Sequence, residues 1–264
     1  MAEMISLVIP IHNQWRYTEQ FLQSLSRHAP PEPWETILVD NGSRDESREA
    51  LSAYPDVKVI RNESNRGCAQ AWNQGWRASQ GSWMGFLNND IVLSDGWLEG
   101  LLYTASHHRL DIVGPVHLEG ELDYDLDALA REFGQKHRNR LFRGFNACCF
   151  LVRREVFEAI GGFDEQYDKG KYEDSDFVLR ALKGGFRVGL SGAALIHHYG
   201  SRTVLAVPEM AQAEEENRKR FIEKWGRMPD FKRREFKRGI LEAMTFKRLA
   251  ERRKTNSLRK GEAT

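Results

Sequence analysis

The chain has 264 residues, 41% hydrophobic and 29% charged, with a formal net charge of +1. That balance excludes a wholly disordered chain and suits one large α/β domain or two small ones. No apolar run reaches the ~18 residues of a membrane span, and Met1-Ala-Glu-Met4 carries neither a basic nor an apolar leader pattern, so a cytoplasmic protein is expected. The charge is uneven: 17 Lys/Arg stand against 6 Asp/Glu between Arg218 and Thr264, leaving the rest of the chain acidic. Cys68, Cys148 and Cys149 are odd in number and lack CxxC spacing, which suggests reduced, mostly buried thiols and neither a disulfide framework nor a zinc site.

Ile5–Ile9 is a short apolar run ended by Pro10, and Trp15–Arg27 places Tyr17, Phe21, Leu22 and Leu25 at helical spacing. The alternation continues with strands at Thr36–Val39, Val57–Ile60 and Ser82–Leu87 and helices at Asp45–Ala53 and Arg66–Ala78. Repeated β-α units with short apolar strands imply a mostly parallel sheet covered on both faces. Beyond Asp90 the pattern loosens: a helix at Leu98–His107, a strand at Ile112–Val113, and Gly114-Pro115 as a stop. Glu119–Arg143, rich in charge and poor in periodicity, is expected to be a long mobile loop with at most one helical turn. Phe145–Val152 and Phe186–Leu190 are expected strands, with helices at Arg154–Ile160 and Glu173–Lys183 stopped by glycine pairs.

In such sheets ligands bind beyond the carboxyl ends of the strands, so the polar residues at those ends come first. Asp40-Asn-Gly-Ser43 could hold a nucleobase edge or a ribose hydroxyl, though Asn-Gly is also a common turn. Asn88-Asn-Asp90 sets a carboxylate where a divalent ion could bridge to a diphosphate, the Lewis-acid arrangement of group transfer. Glu173-Asp174-Ser-Asp176 opens a helix, where capping and the helix dipole account for one acid but less well for three. A carboxylate there could act as general base toward an acceptor hydroxyl. His197-His198 follows the apolar run Ala193–Ile196, so one imidazole should face the cleft and the other turn away. Imidazole is a reasonable additional ligand for Mn²⁺.

Taken in order, Ser6–Asn13, Leu38–Ser43, Asn62–Gly67 with Ala71–Gly75, Phe86–Asp90, Gly161–Glu165 and Tyr172–Asp176 resemble the motifs of family 2 glycosyltransferases over roughly residues 4–204. The resemblance implies a GT-A fold, a nucleotide-sugar donor (UDP- or dTDP-sugar), a Mn²⁺ or Mg²⁺ ion and an inverting single displacement. It implies donor contacts from Pro10, His12, Asp40, Ser43, Arg66, Gly67, Asn88 and Asn89, with metal ligation by Asp90 and His198, His197 being the less favoured choice. Asp174 matches the base of the Glu-Asp motif, with Glu173 orienting the acceptor or the base. Asn88 stands where the first acid of a DxD motif would be, and His12 where many relatives carry another residue.

A Rossmann-type oxidoreductase lacks support, because Pro10-Ile-His-Asn13 rather than GxGxxG follows the first strand. A non-catalytic nucleotide-sugar-binding protein of the same fold is the alternative that the Asn88 departure leaves open. The expected division is a catalytic domain over residues 1–207 and a basic helical extension over 208–264. The extension lacks a nucleic-acid reader motif, so nucleic acid is not an expected partner. Its apolar positions, Phe221, Ile222 and Trp225 before Pro229 and Phe236, Ile240, Leu241 and Met244 after it, fit packing on the catalytic domain, on a second subunit in a homo-oligomer, or on an anionic membrane at its inner face. A carbohydrate or lipid-linked glycan acceptor fits that last arrangement.

Overall fold

The first half of the chain alternates strand and helix, as its apolar spacing requires. A computed structural model describes residues 4–29, 33–55, 57–200 and 210–226. In order come β1 (Ile5–Ile11), α1 (Trp15–Arg27), β2 (Trp34–Asn41), a short α2 (Ser47–Ala50) continued by a 3-10 turn (Leu51–Ala53), β3 (Lys58–Asn62), α3 (Cys68–Ala78) and β4 (Trp83–Leu87). β1 pairs in parallel with β2 and β4, and β2 with β3. Successive side chains of these strands enter opposite cores: Leu7 and Ile9 join Phe21, Leu22 and Leu101 on one face, and Val8 joins Trp72, Phe86, Phe157 and Phe177 on the other. Burial on both faces is why the strands read as apolar runs rather than as alternating patterns.

The second half is mixed. It comprises β5 (Ile91–Val92), α4 (Trp97–His108), β6 (Ile112–Glu119), α5 (Leu126–His137), β7 (Leu141–Phe142), β8 (Cys149–Arg153), α6 (Arg154–Ile160), α7 (Glu173–Lys183), β9 (Val188–His198) and α8 (Met210–Trp225). Among the described residues the sheet runs β3-β2-β1-β4-β8-β6-β9-β5, with β7 also on β9. β8 is antiparallel to both β4 and β6, while β6 and β9 are parallel. No helix among the described residues is long and apolar enough to cross a membrane.

Five expectations are corrected. The segment 119–143 is not a mobile loop: it holds α5, whose Asp125 cap accepts the Ala128 N–H at 3.0 Å. Leu129, Ala130 and Phe133 of α5 pack with Leu118, Leu190 and Leu195 in a third core beneath β9. β6 does not stop at Gly114-Pro115 but continues to Glu119, because the proline falls where the β6/β9 register breaks and the regular ladder is already interrupted. β9 starts later and runs further than expected, to His198, and α3 and β8 begin at Cys68 and Cys149. The extension beyond residue 226, with its membrane and oligomer expectations, lies outside the described residues.

The break in β9 is a bulge. Pro115 lies opposite Ser191, whereas the next residue, Val116, lies opposite Leu195, so Gly192, Ala193 and Ala194 have no counterpart on β6. A side chain at position 192 would collide with the His137 carbonyl oxygen at 2.2 Å, so glycine is required by close approach of the α5 terminus. Another close approach yields a test. A Cβ on Gly75 of α3 would stand 2.1 Å from Val8 Cγ1. Alanine is the better helix former by about 1 kcal/mol, but overpacking costs ~1–3 kcal/mol. Gly75→Ala should therefore lower the unfolding free energy by up to ~2 kcal/mol, read as a lower urea midpoint at unchanged slope; an unchanged or higher midpoint would show that Val8 gives way freely.

Candidate active site

The carboxyl ends of β1, β2 and β3 form a hydrogen-bonded platform organised by Asn41, which is 4% exposed. Its amide donates to Asn65 Oδ1 (2.9 Å) and the Gly67 carbonyl (3.1 Å), and its oxygen accepts from Asn62 Nδ2 and the Arg66 N–H, both at 3.0 Å. Asn13, held at φ 55°, ties the neighbouring loops together: its N–H donates to Ser43 Oγ (2.9 Å) and its side-chain oxygen accepts from the Arg44 N–H (2.7 Å). Asp40 accepts from the Ser43 N–H (2.9 Å) and is ion-paired with Arg61 (3.1 Å). His12 Nδ1 donates to the Asn41 carbonyl at 3.0 Å. Gly67 caps α3 at φ 81°, and a Cβ there would meet the Lys169 nitrogen at 2.8 Å, so a later loop crosses directly over this helix start.

Two adjoining cavities open beside the platform. The smaller, 80 Å³, is lined by Pro10, His12, Asn41, Asn89, Asp90 and Met210. The larger, a 480 Å³ cleft, is lined by His117, Glu119, Cys148, Glu173, Asp174 and His198. Cys68 and Asn88 line both. Of the residues singled out in the sequence, Pro10, His12, Asn88, Asn89, Asp90, Glu173, Asp174 and His198 thus converge. The others do not line these cavities. Asp40 and Ser43 are buried in the platform, Arg66 is exposed with its backbone N–H on Asn41, and Gly67 supplies backbone geometry. Asn89 reaches the smaller cavity while its amide donates to Thr18 Oγ1 at 2.8 Å, which fixes the loop to α1.

At the junction His198 Nε2 lies 3.3 Å from Asp90 Oδ1, and its Nδ1 lies 3.4 Å from Glu119 Oε1. His117 Nε2 lies 3.5 Å from the same Glu119 oxygen. Burial works against a charged His198, but its bonds to Asp90 and Glu119 outweigh that and push its pKa up to about 9. His117 is held below the ordinary imidazole value by burial. Glu119 sits well below the usual carboxylate range because His117 and then His198 hydrogen-bond it. His197 points the other way: its Nδ1 meets the Tyr124 hydroxyl at 2.8 Å. His117 and Glu119 are not singled out by the sequence, and Cys148 reads there only as a buried thiol, because nothing in their spacing signals that β6 lies between β8 and β9.

The acidic helix start divides its labour. Asp176, fully buried, is bonded by Arg180 (2.8 Å), Lys224 (2.8 Å) and the Trp225 indole (2.7 Å). Glu173 and Asp174 line the cleft instead. Lys224 and Trp225 come from α8, which is further held by Asn217 donating to the carbonyls of Asp168 (2.8 Å) and Gly170 (2.9 Å), by Arg220 on the Gln166 carbonyl, and by fully buried Phe221 against Tyr172. Met210 and Glu214 of the same helix reach the two cavities.

The two cavities thus lie at the carboxyl ends of parallel strands, beside a carboxylate-imidazole pair and an acidic helix start, where open α/β sheets bind their ligands. The chain belongs to glycosyl transferase family 2, whose model matches residues 6–161, and it is a glycosyltransferase. It is 27% identical over 241 residues to the glycosyltransferase EpsJ of Bacillus subtilis, spanning 84% of this chain and 68% of that one. It is 28% identical over 245 residues to the N-acetylglucosaminyl-diphospho-decaprenol L-rhamnosyltransferase of Mycobacterium tuberculosis, spanning 77% of this chain and 78% of that one. Its fold superimposes on that of GalNAc-T7, solved with UDP, GalNAc and Mn²⁺, at a TM-score of 0.65 and 18% identity, over 85% of this chain and 49% of that one. The fold is therefore of the GT-A type expected.

Asn41 generates a direct test. Replacing it by alanine leaves Arg66 N–H and Asn62 without their shared acceptor, and a buried group so stranded costs ~1–3 kcal/mol. Asn41→Ala should lose stability on that scale and lose hydrogen-exchange protection at Arg66; retained protection there would mean that the loop is held by other contacts.

Proposed function

We propose that this glycosyltransferase moves a sugar from a nucleoside-diphosphate donor, a UDP- or dTDP-sugar, to a hydroxyl of a glycan or lipid-linked glycan, with inversion and with a divalent ion. The observation that carries the reading is the contact of Asp90, in the smaller cavity, with His198, which lines the adjoining cleft together with Glu173 and Asp174. The donor set fits a Mn²⁺ or Mg²⁺ ion: two carboxylates, Asp90 and Glu119, flank one imidazole at 3.3 and 3.4 Å, a mixed oxygen and nitrogen environment that Mn²⁺ accepts. When bound, such an ion supplies positive charge against the diphosphate of the leaving nucleotide. The UDP and Mn²⁺ carried by GalNAc-T7 support this reading of the shared fold.

The chain's own residues do the rest. The β1–β3 platform and His12 bind the nucleoside end, with Asn88, common to both cavities, at the passage toward the acceptor. Asp174 takes the proton of the attacking hydroxyl on its carboxylate as that oxygen meets the anomeric carbon and the nucleoside diphosphate departs on the opposite face. Glu173, beside it and 4% exposed, orients the acceptor. α8 narrows both cavities through Met210 and Glu214 and so helps exclude water from the donor. The basic sequence beyond Pro229 would favour a cytoplasmic enzyme placed against anionic lipid, where a lipid-linked acceptor is found.

Two measurements test these assignments. Asp90→Ala should shift the Mn²⁺ midpoint for UDP binding upward by at least about tenfold, the scale of losing a group that supports a metal; an unchanged midpoint removes the metal assignment. Asp174→Asn should keep donor binding and lower turnover by ~10²-fold or more. Parallel loss of donor affinity and turnover would make Asp174 a structural residue.

A further inference from the structure

His117, Cys148 and His198 are brought together from three places in the fold: β6, the residue before β8, and the end of β9. Each offers a ligand atom, and these atoms lie within 4.8 Å of one another; among the described residues this is the set of three histidine, cysteine or acidic ligands that converges. All three are about 95% buried, at 4%, 5% and 5% exposure, yet all line the 480 Å³ cleft, so an ion could reach them. The imidazole rings stand 5.7 Å apart at 77°, not stacked on each other. Glu119, within 3.5 Å of both rings and with its side chain 59% exposed, could serve as a fourth ligand or leave that position to solvent.

We propose that His117, Cys148 and His198 form a site for a thiophilic divalent ion, zinc by preference, overlapping the position of the donor's ion at His198. Two imidazoles and a thiolate are a ligand set that zinc takes up tetrahedrally. Thiolate selects against Mg²⁺ and Mn²⁺, which favour oxygen ligands, and the order of affinities for such N/S sites places zinc well above manganese. Neither Cys148 nor His117 is needed by the proposed transfer reaction, which uses Asp90, His198 and oxygen donors. The overlap rests on that reading, since the imidazole engaged by zinc is the one assigned to the donor's ion; the site itself does not. Zinc would then act as a brake, withdrawing His198 from the hard ion that the donor needs.

The test uses the full chain with metal alone, so that it does not depend on any sugar-transfer assay. Titration with Co²⁺ should produce a near-ultraviolet thiolate-to-cobalt charge-transfer band that Zn²⁺ bleaches and Mg²⁺ does not. Cys148→Ser should abolish the band, whereas Cys68→Ser, a thiol lining the same cleft, should keep it. His117→Gln, a second route if Cys148→Ser does not fold, should weaken zinc binding at least about tenfold. No band in the unaltered protein, or a band surviving Cys148→Ser, overturns the site. With UDP present, zinc at ten times its dissociation constant should raise the Mn²⁺ midpoint by about tenfold by simple competition. A midpoint that zinc leaves unmoved overturns the overlap, while failure of UDP to bind with any metal would instead count against the donor assignment.

Discussion

The site depends on a two-residue antiparallel pairing. Ile91 lies opposite His198 and Val92 opposite His197, and the Tyr199 N–H closes the pair on the Asp90 carbonyl at 2.9 Å. So short a ladder has little intrinsic stability. It persists because Ile91 and Leu93 are fully buried in the core beneath α1 and α4, and because β9 is anchored along its other edge to β6. Through it the acid at the end of the first half-sheet meets the imidazole at the end of the last strand. The backbone therefore sets the Asp90–His198 contact, and the side chains have little freedom to undo it.

The electrostatics of the acidic helix follow from packing in the same way. Three carboxylates in one helical turn repel each other, and the helix dipole only partly offsets that. Arg180 from α7 and Lys224 from α8 neutralise Asp176 in full burial, where losing a partner would cost on the order of 3–5 kcal/mol. Glu173 and Asp174 remain facing the cleft. The start of the basic extension thus completes the fold around the site: Lys224 bridges Asp164 and Asp176 at 2.7 and 2.8 Å.

Much of this was legible in the residues. The βα alternation up to Leu87 is plain because fully buried strands are uniformly apolar and α1 and α3 carry a clear stripe. α5 was missed because Asp127, Arg131, Glu132 and Lys136 mask Leu126, Leu129, Ala130 and Phe133, which in fact repeat at i, i+3, i+4 and i+7 behind an Asp125 cap. Pro115 hid the far half of β6, and with it His117 and Glu119. Asp90, Glu173, Asp174 and His198 could be picked out from local motifs, but Cys148 could not. Its partners lie on strands whose order in the sheet does not follow their order in the chain, so no spacing rule connects them.

The bulge in β9 decides which histidine is which. Three residues without counterparts are an odd number, so β9 leaves the bulge with its side-chain alternation reversed relative to β6. That reversal sets His198 opposite Glu119 and sends His197 to Tyr124. A one-residue deletion among Gly192, Ala193 and Ala194 that drew the strand through would place Tyr199 opposite Glu119 and turn His198 to the far face. The length of a segment that carries no reactive group is therefore a parity setting for the chemistry beyond it, and relatives that differ there by a single residue would need their histidine one place away.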